Sequence, residues 1–160
     1  MMDNLEALEQ WAGAALARLE PAERRKIAMD VGRELRRNQQ RRIASQRNPD
    51  GSPYDPRKPR QVQQVRQGGQ LRERRGRIKR QAMFVKLRTA RMMKVETDSA
   101  GVTIGFAGRV ARIARVHQEG EESEVEPGRN KYRYPIRQLL GLDQAGRDMI
   151  RDRLLEHLAR

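Results

Sequence analysis

The side chains best suited to chemistry in this 160-residue chain are its two histidines, His117 and His157. Glu119, Glu121 and Glu122 follow the first closely and could in principle join it as ligands or as acid–base partners. Such sites require several convergent ligands, or a nucleophile beside its base. Here HExxH and comparable ligand spacings are missing, and cysteine is absent. Gly68-Gly69 lies in a polar stretch without the GK[ST] and following helix of a phosphate loop. The sequence therefore points away from an enzyme, and it assigns no catalytic, cofactor-binding or metal-binding residue.

Charge is the stronger signal. Lys and Arg number 35 against 21 for Asp and Glu, a formal +14. Arginine dominates, and its planar fork suits bidentate contact with phosphate or carboxylate. A polyanionic partner is expected, either nucleic acid or an acidic protein surface. Ten basic side chains and one acid, Glu73, fall between residues 57 and 80. Arg57, Lys58, Arg60, Arg72, Arg74, Arg75, Arg77, Lys79 and Arg80 make this a basic arm. Single-strand readers interleave aromatic platforms with such charge. The arm offers only Tyr54, at its start, and zinc-finger, RRM and KH signatures are missing. Non-specific nucleic-acid binding through the arm is the alternative reading.

Only 36% of the residues are hydrophobic and 4% aromatic, against about 45–50% apolar in ordinary soluble domains. A modest core follows, with part of the chain packing only against partners. The lack of cysteine fits a reducing cytosol. No apolar run approaches a membrane span, and Met1-Met2-Asp3-Asn4 is no signal sequence, so a soluble, non-exported protein without a membrane partner is expected.

The elements follow from periodicity. Leu5, Leu8, Ala12, Leu16 and Leu19 make one face of a first helix capped by Asp3 or Asn4, with Trp11 at its rim. Pro21 starts a second helix to about Gln46, striped by Ile27, Ala28, Val31, Leu35 and Ile43. That stripe thins at Asn38-Gln39-Gln40, where the helix is expected to meet another chain. Asn48-Pro49-Asp50-Gly51 turns the chain into the arm, 48–76. A helix is predicted over 77–91 with Met83, Phe84, Leu87 and Ala90 inward. Met93, Val95 and Thr97, then Val102, Ile104 and Phe106, alternate as a hairpin about Ser99-Ala100-Gly101. A short helix over 110–118 ends at Gly120, an acidic loop spans 119–126, a strand covers 132–134, and Asp143 caps a last helix faced by Met149, Ile150, Leu154 and Leu158. This order predicts one α+β domain over 1–160, helices packed against a small antiparallel β-sheet, with N-terminal helices over 1–47 and an α+β core over 77–160.

Four stretches carry a family resemblance. They are Gln46 to Arg57 (QRNPDGSPYDPR), Gly76 to Arg88 (GRIKRQAMFVKLR), Ile113 to Gly120 (IARVHQEG) and Tyr134 to Leu142 (YPIRQLLGL). In this order and spread across nearly the whole chain, they resemble the phage virion morphogenesis family, within it the tail-completion branch found in contractile-tailed temperate phages. The third fits an Ala-x-x-His-Gln-x-Gly pattern at Ala114, His117, Gln118 and Gly120. The fourth matches at Tyr134, Pro135, Arg137, Leu140 and Gly141.

The resemblance implies structural work without a cofactor: completing the tail so that it can join a head, as a ring at the neck or tail end. It implies as partners the chain itself, tail-tube or terminator proteins, and head-completion or connector proteins. Sixfold symmetry would match the tube, and packaged DNA would be touched without sequence preference. The expected location is the virion tail or neck, after assembly in the host cytoplasm. Interface residues are then Asn48, Pro49, Asp50, Gly51, Tyr54, His117, Gly120, Tyr134, Pro135, Arg137 and Leu140. His117 would be a hydrogen-bonding post pinning the loop at Gly120, and Arg137 a rigid fork beside the Leu139-Leu140 anchor. The opposite charges of the arm and of residues 119–126 suggest a head-to-tail contact between subunits.

Overall fold

A computed structural model of the chain describes residues 3–57, 82–98, 100–124, 128 and 130–159. Helix α1 runs Asp3–Leu16 and α2 Pro21–Ala44; strands β1 (Met93–Thr97) and β2 (Val102–Phe106) follow. Then come α3 (Arg109–Glu119), β3 (Glu122–Glu124), β4 (Lys131–Arg133) and α4 (Gln144–Leu158). The arrangement is α+β, helices around two antiparallel two-stranded sheets.

The hairpin forms where alternation places it. Met93 pairs with Phe106, Val95 with Ile104 and Thr97 with Val102. Its turn is closed by Asp98, whose Oδ1 accepts from the backbone N–H groups of Ala100 (2.8 Å) and Gly101 (2.9 Å). A lone hairpin is marginal in water, and α2 packs against both of its strands.

Helix α2 organises the interior in two halves. Its N-terminal Ile27, Val31 and Leu35 join Leu154 of α4, with Ala12, Leu16 and Leu19 from the first helical stretch and Met149 and Ile150 packed around them. Its C-terminal Ile43 enters a second cluster with Tyr54, Met83, Leu87, Met93, Ala114 and Leu139. Ile104 touches both clusters. Trp11 stays partly exposed. Asp143 caps α4, its Oδ1 accepting from the Gly146 N–H at 2.7 Å and from Asn38 Nδ2 at 3.0 Å.

Several expectations need correction. Residues 82–92 are a run of turns, not a helix. Met83 and Leu87 are buried as anticipated, but Ala90 is exposed. Phe84 adopts φ +65°, a left-handed conformation that ends any helical path. The acidic stretch is not one loop: Glu119 ends α3, while Glu122 and Glu124 lie on β3, opposite Arg133 and Lys131 of β4. Opposite charges across a ladder stabilise it, so part of the complement to these acids lies within the same chain. The strand expected at 132–134 is Lys131–Arg133. Of Ile113 and Ala114, expected together on the inward side of α3, Ala114 is buried, beside Val116, but Ile113 is exposed. Leu158 of α4 is also exposed.

Candidate functional site

The first and third signature stretches, and the described residues 82–88 of the second, meet the fourth, the segment 134–142, which crosses the ends of α2 and α3 without regular structure of its own. An irregular backbone segment in contact with the core needs partners for its N–H and C=O groups. Side chains supply them. The Gln118 Oε1 accepts from the N–H groups of Leu139 (2.8 Å) and Leu140 (3.0 Å), and its Nε2 donates to the Leu140 carbonyl at 3.1 Å. Asn48 Oδ1 accepts from the Gln138 N–H at 2.9 Å. The Tyr54 hydroxyl donates to the Gln138 carbonyl at 3.0 Å, and Gln39 Nε2 to that of Gly141 at 2.6 Å.

Two buried arginines tie this framework together, Arg42 from α2 and Arg137 from within the segment. Arg42, 7% exposed, donates to the carbonyls of Gln138 (2.8 Å), Leu139 (2.9 Å) and Arg47 (3.0 Å), and to Gln39 Oε1. Arg137, 4% exposed, reaches back to the carbonyls of Asp55 (2.8 Å) and Pro56 (3.1 Å). Burial lowers the pKa of each guanidinium, offset in part by Tyr54 and Asp143 near Arg42 and by Asp55 near Arg137. Rigid forks aimed at fixed carbonyls are a task that Lys cannot perform.

His117 sits within this frame. Arg137 Nη1 lies 3.1 Å from His117 Nδ1. Because arginine can only donate, Nδ1 accepts and the ring proton resides on Nε2. Burial, then the charges of Arg137 and Arg57, lowers the His117 pKa to about 4. The imidazole is therefore neutral at pH 7, and its backbone carbonyl accepts from the Arg137 N–H at 2.7 Å. Its ring packs edge-on between Phe84 (4.8 Å) and Tyr134 (5.0 Å), in a chain of rings running from Tyr54 to Tyr132. Among the described residues, no group of three or more His, Asp or Glu side chains is placed to hold a metal.

The expected site residues thus have definite places. Asn48, Tyr54, His117, Arg137 and Leu140 all bond within the frame. Gly120 ends α3 in the left-handed conformation, φ +68°, and a Cβ there would meet Ile136 Cγ1 at 2.7 Å. Pro49 packs under Gly141, where an added Cβ would meet its Cγ at 2.5 Å. Tyr134 and Pro135 are half-buried. Asp50 and Gly51 form the exposed tip of the 48–52 turn, where the Ser52 hydroxyl and N–H hold the Asp50 carboxyl below its usual pKa. Of the arm, Arg57 is described and exposed; Lys58, Arg60, Arg72, Arg74, Arg75, Arg77, Lys79 and Arg80 lie outside the described residues.

Residue-type reasoning passed over Gln39, Arg42, Gln46 and Gln118 as site residues. Gln39 and Arg42 continue the inward stripe of Ile27, Val31 and Leu35, yet are polar. That was the available signal. The far half of α2 packs on its own chain's 138–141 segment, correcting the expectation that it awaits another chain. Gln46, at φ +58°, binds the Met83 backbone at both ends, its Oε1 accepting from N–H (2.7 Å) and its Nε2 donating to the carbonyl (3.0 Å). The arrangement fixes one backbone shape and presents Ile136, 57% exposed, on it.

Tail completion protein S of Escherichia phage P2 is 34% identical over 160 residues, covering 99% of this chain and 100% of that protein. No solved structure matches. The model of the phage virion morphogenesis family matches residues 3–159, and the chain belongs to that family.

Proposed function

We propose that this chain is a non-enzymatic assembly protein that completes the phage tail and makes it competent to join a head. One observation carries the reading: the similarity to a tail completion protein runs from end to end, at 34% identity over 99% of the chain. The clamped 134–142 segment supports it. A docking part gains affinity when its contact surface is already ordered, and here side-chain bonds from α2, α3 and the 48–54 turn hold that surface in place. Ile136 is then an apolar contact on a rigid base, and the exposed tip at Asp50-Gly51 a polar one.

In this reading the subunits form a ring at the head-proximal tail end, through head-to-tail contacts that close when the rotation permits. Their neighbours are the tail tube or its terminator on one side and head-completion or connector proteins on the other. Assembly takes place in the host cytoplasm, and the protein stays in the virion neck. The basic residues of 57–80 serve neighbouring subunits or the DNA channel.

Native mass spectrometry of the purified protein, with negative-stain images of it alone and mixed with tails, tests the ring. A closed oligomer seated on one tail end is expected. A monomer that leaves tails bare would refute it.

A further inference from the structure

We infer that the outward face of α2 is a track for double-stranded DNA, engaged through its phosphates. With about 3.6 residues per turn, Lys26, Arg33, Arg37 and Arg41 share one narrow face and span about 23 Å of helix axis. All four are exposed. Arg88, from the turns after the arm, closes on the far end of this stripe. With Glu34, Arg37, Gln40, Arg41 and Ala44 it walls an open groove of about 340 Å³. Across Pro21–Ala44 there are eight basic residues against three acidic ones.

The chemistry of the face selects the occupant. Stable protein interfaces centre on aromatic or aliphatic anchors. The exposed large hydrophobics among the described residues are Trp11, Val85, Ile113, Ile136, Leu155 and Leu158, and none lies on α2. A protein partner would find charge there but no anchor. Single strands require stacking platforms, and α2 carries no aromatic residue. What remains is a straight row of cations, which suits the regularly spaced phosphates of a duplex without reading its bases.

All three acids of α2 share the face: exposed Glu23 in the first turn, Asp30 and Glu34. Glu34 pairs with Arg37 (3.5 Å) and Arg41 (3.6 Å), and Asp30 faces His157 of α4 at 3.8 Å. Both arginines of the Glu34 pairs are exposed and the contacts are long, so the pairs are weak and phosphate can displace Glu34 from its arginines. Glu34 is then a brake on binding. This inference places DNA on α2 rather than on the arm, and it stands apart from the tail-completion reading because naked protein and naked DNA test it.

The full-length protein is titrated with a short random-sequence duplex over a range of salt concentrations. The variant R33Q/R37Q/R41Q/R88Q should bind at least tenfold more weakly at low salt. Its slope of log affinity against log salt should be shallower by about 3–4, near 0.9 per lost phosphate contact. E34Q should bind several-fold more tightly. Absence of duplex binding by the wild type at low salt overturns the inference. So does a quadruple variant that melts like wild type and keeps its affinity and slope while R74Q/R75Q/R77Q loses both, which would put DNA on the arm. A quadruple variant that binds DNA normally yet blocks tail completion would show that the face takes an acidic protein, and also overturns it. Should the quadruple variant misfold, E34Q decides: unchanged or weaker duplex binding rejects the track.

Discussion

Gln118 holds the main chain of Leu140 by both ends of its amide, the Oε1 accepting from the Leu140 N–H at 3.0 Å and the Nε2 donating to the Leu140 carbonyl at 3.1 Å. A glutamine at the end of α3 thus does for an irregular segment what a neighbouring strand does in a sheet. Gln46 repeats the device on Met83. Replacing Gln118 with leucine strands two N–H groups and a carbonyl, each costing about 1–3 kcal/mol when buried. After relaxation, a loss of about 2–4 kcal/mol is expected for Q118L, measured by urea unfolding.

Arg137 ties the same segment to the start of the arm. Its three contacts, with Asp55, Pro56 and His117, need a planar fork. R137K keeps the charge but loses the geometry, and should cost about 2 kcal/mol. Equal stability of R137K and wild type in the same urea series would remove the fork from the account.

Much of this frame was unreadable in advance, and the reason is physical. The hairpin was legible because Met93 to Thr97 and Val102 to Phe106 alternate at the period of a strand, and Asp98 to Gly101 carry turn chemistry. The Asp143 cap was legible because it acts on a residue three positions away. The 134–142 segment has no period to read. Its shape comes from Gln39, Arg42, Asn48 and Gln118, separated from it by some 20 to 100 residues in the chain. Residues 82–92 misled for the same reason: a helical spacing of Met83 and Leu87 is overridden where Gln46 captures the Met83 backbone. Polar residues on the inward stripe of α2 were the one local clue that something other than apolar packing lay opposite.

His117 makes stability depend on pH. Its folded pKa of about 4 lies below the ordinary 6.5 of the unfolded chain. The unfolded state therefore binds the extra proton first, and the contribution is fully present above about pH 6.5 and lost as pH falls toward 4. Partial solvent screening limits this to about 1–2 kcal/mol. Unfolding free energies measured across that window should fall less steeply for H117Q than for wild type. The His117 imidazole resonances of the native protein should titrate near pH 4.

The arm can be separated from the frame by charge reversal. R74E/R75E/R77E should leave the melting temperature within a degree or two of wild type, as expected of a segment that adds little to the packed frame. R74E/R75E/R77E is also expected to block head–tail joining. Normal infectious yield from a phage carrying it would dismiss the arm's role in assembly.

Electron microscopy of lysates from a phage lacking this protein tests tail completion most directly. Full-length tails and DNA-filled heads should accumulate unjoined, and adding the purified protein should restore infectious particles. Joined, infectious virions at wild-type yield in its absence would contradict the account.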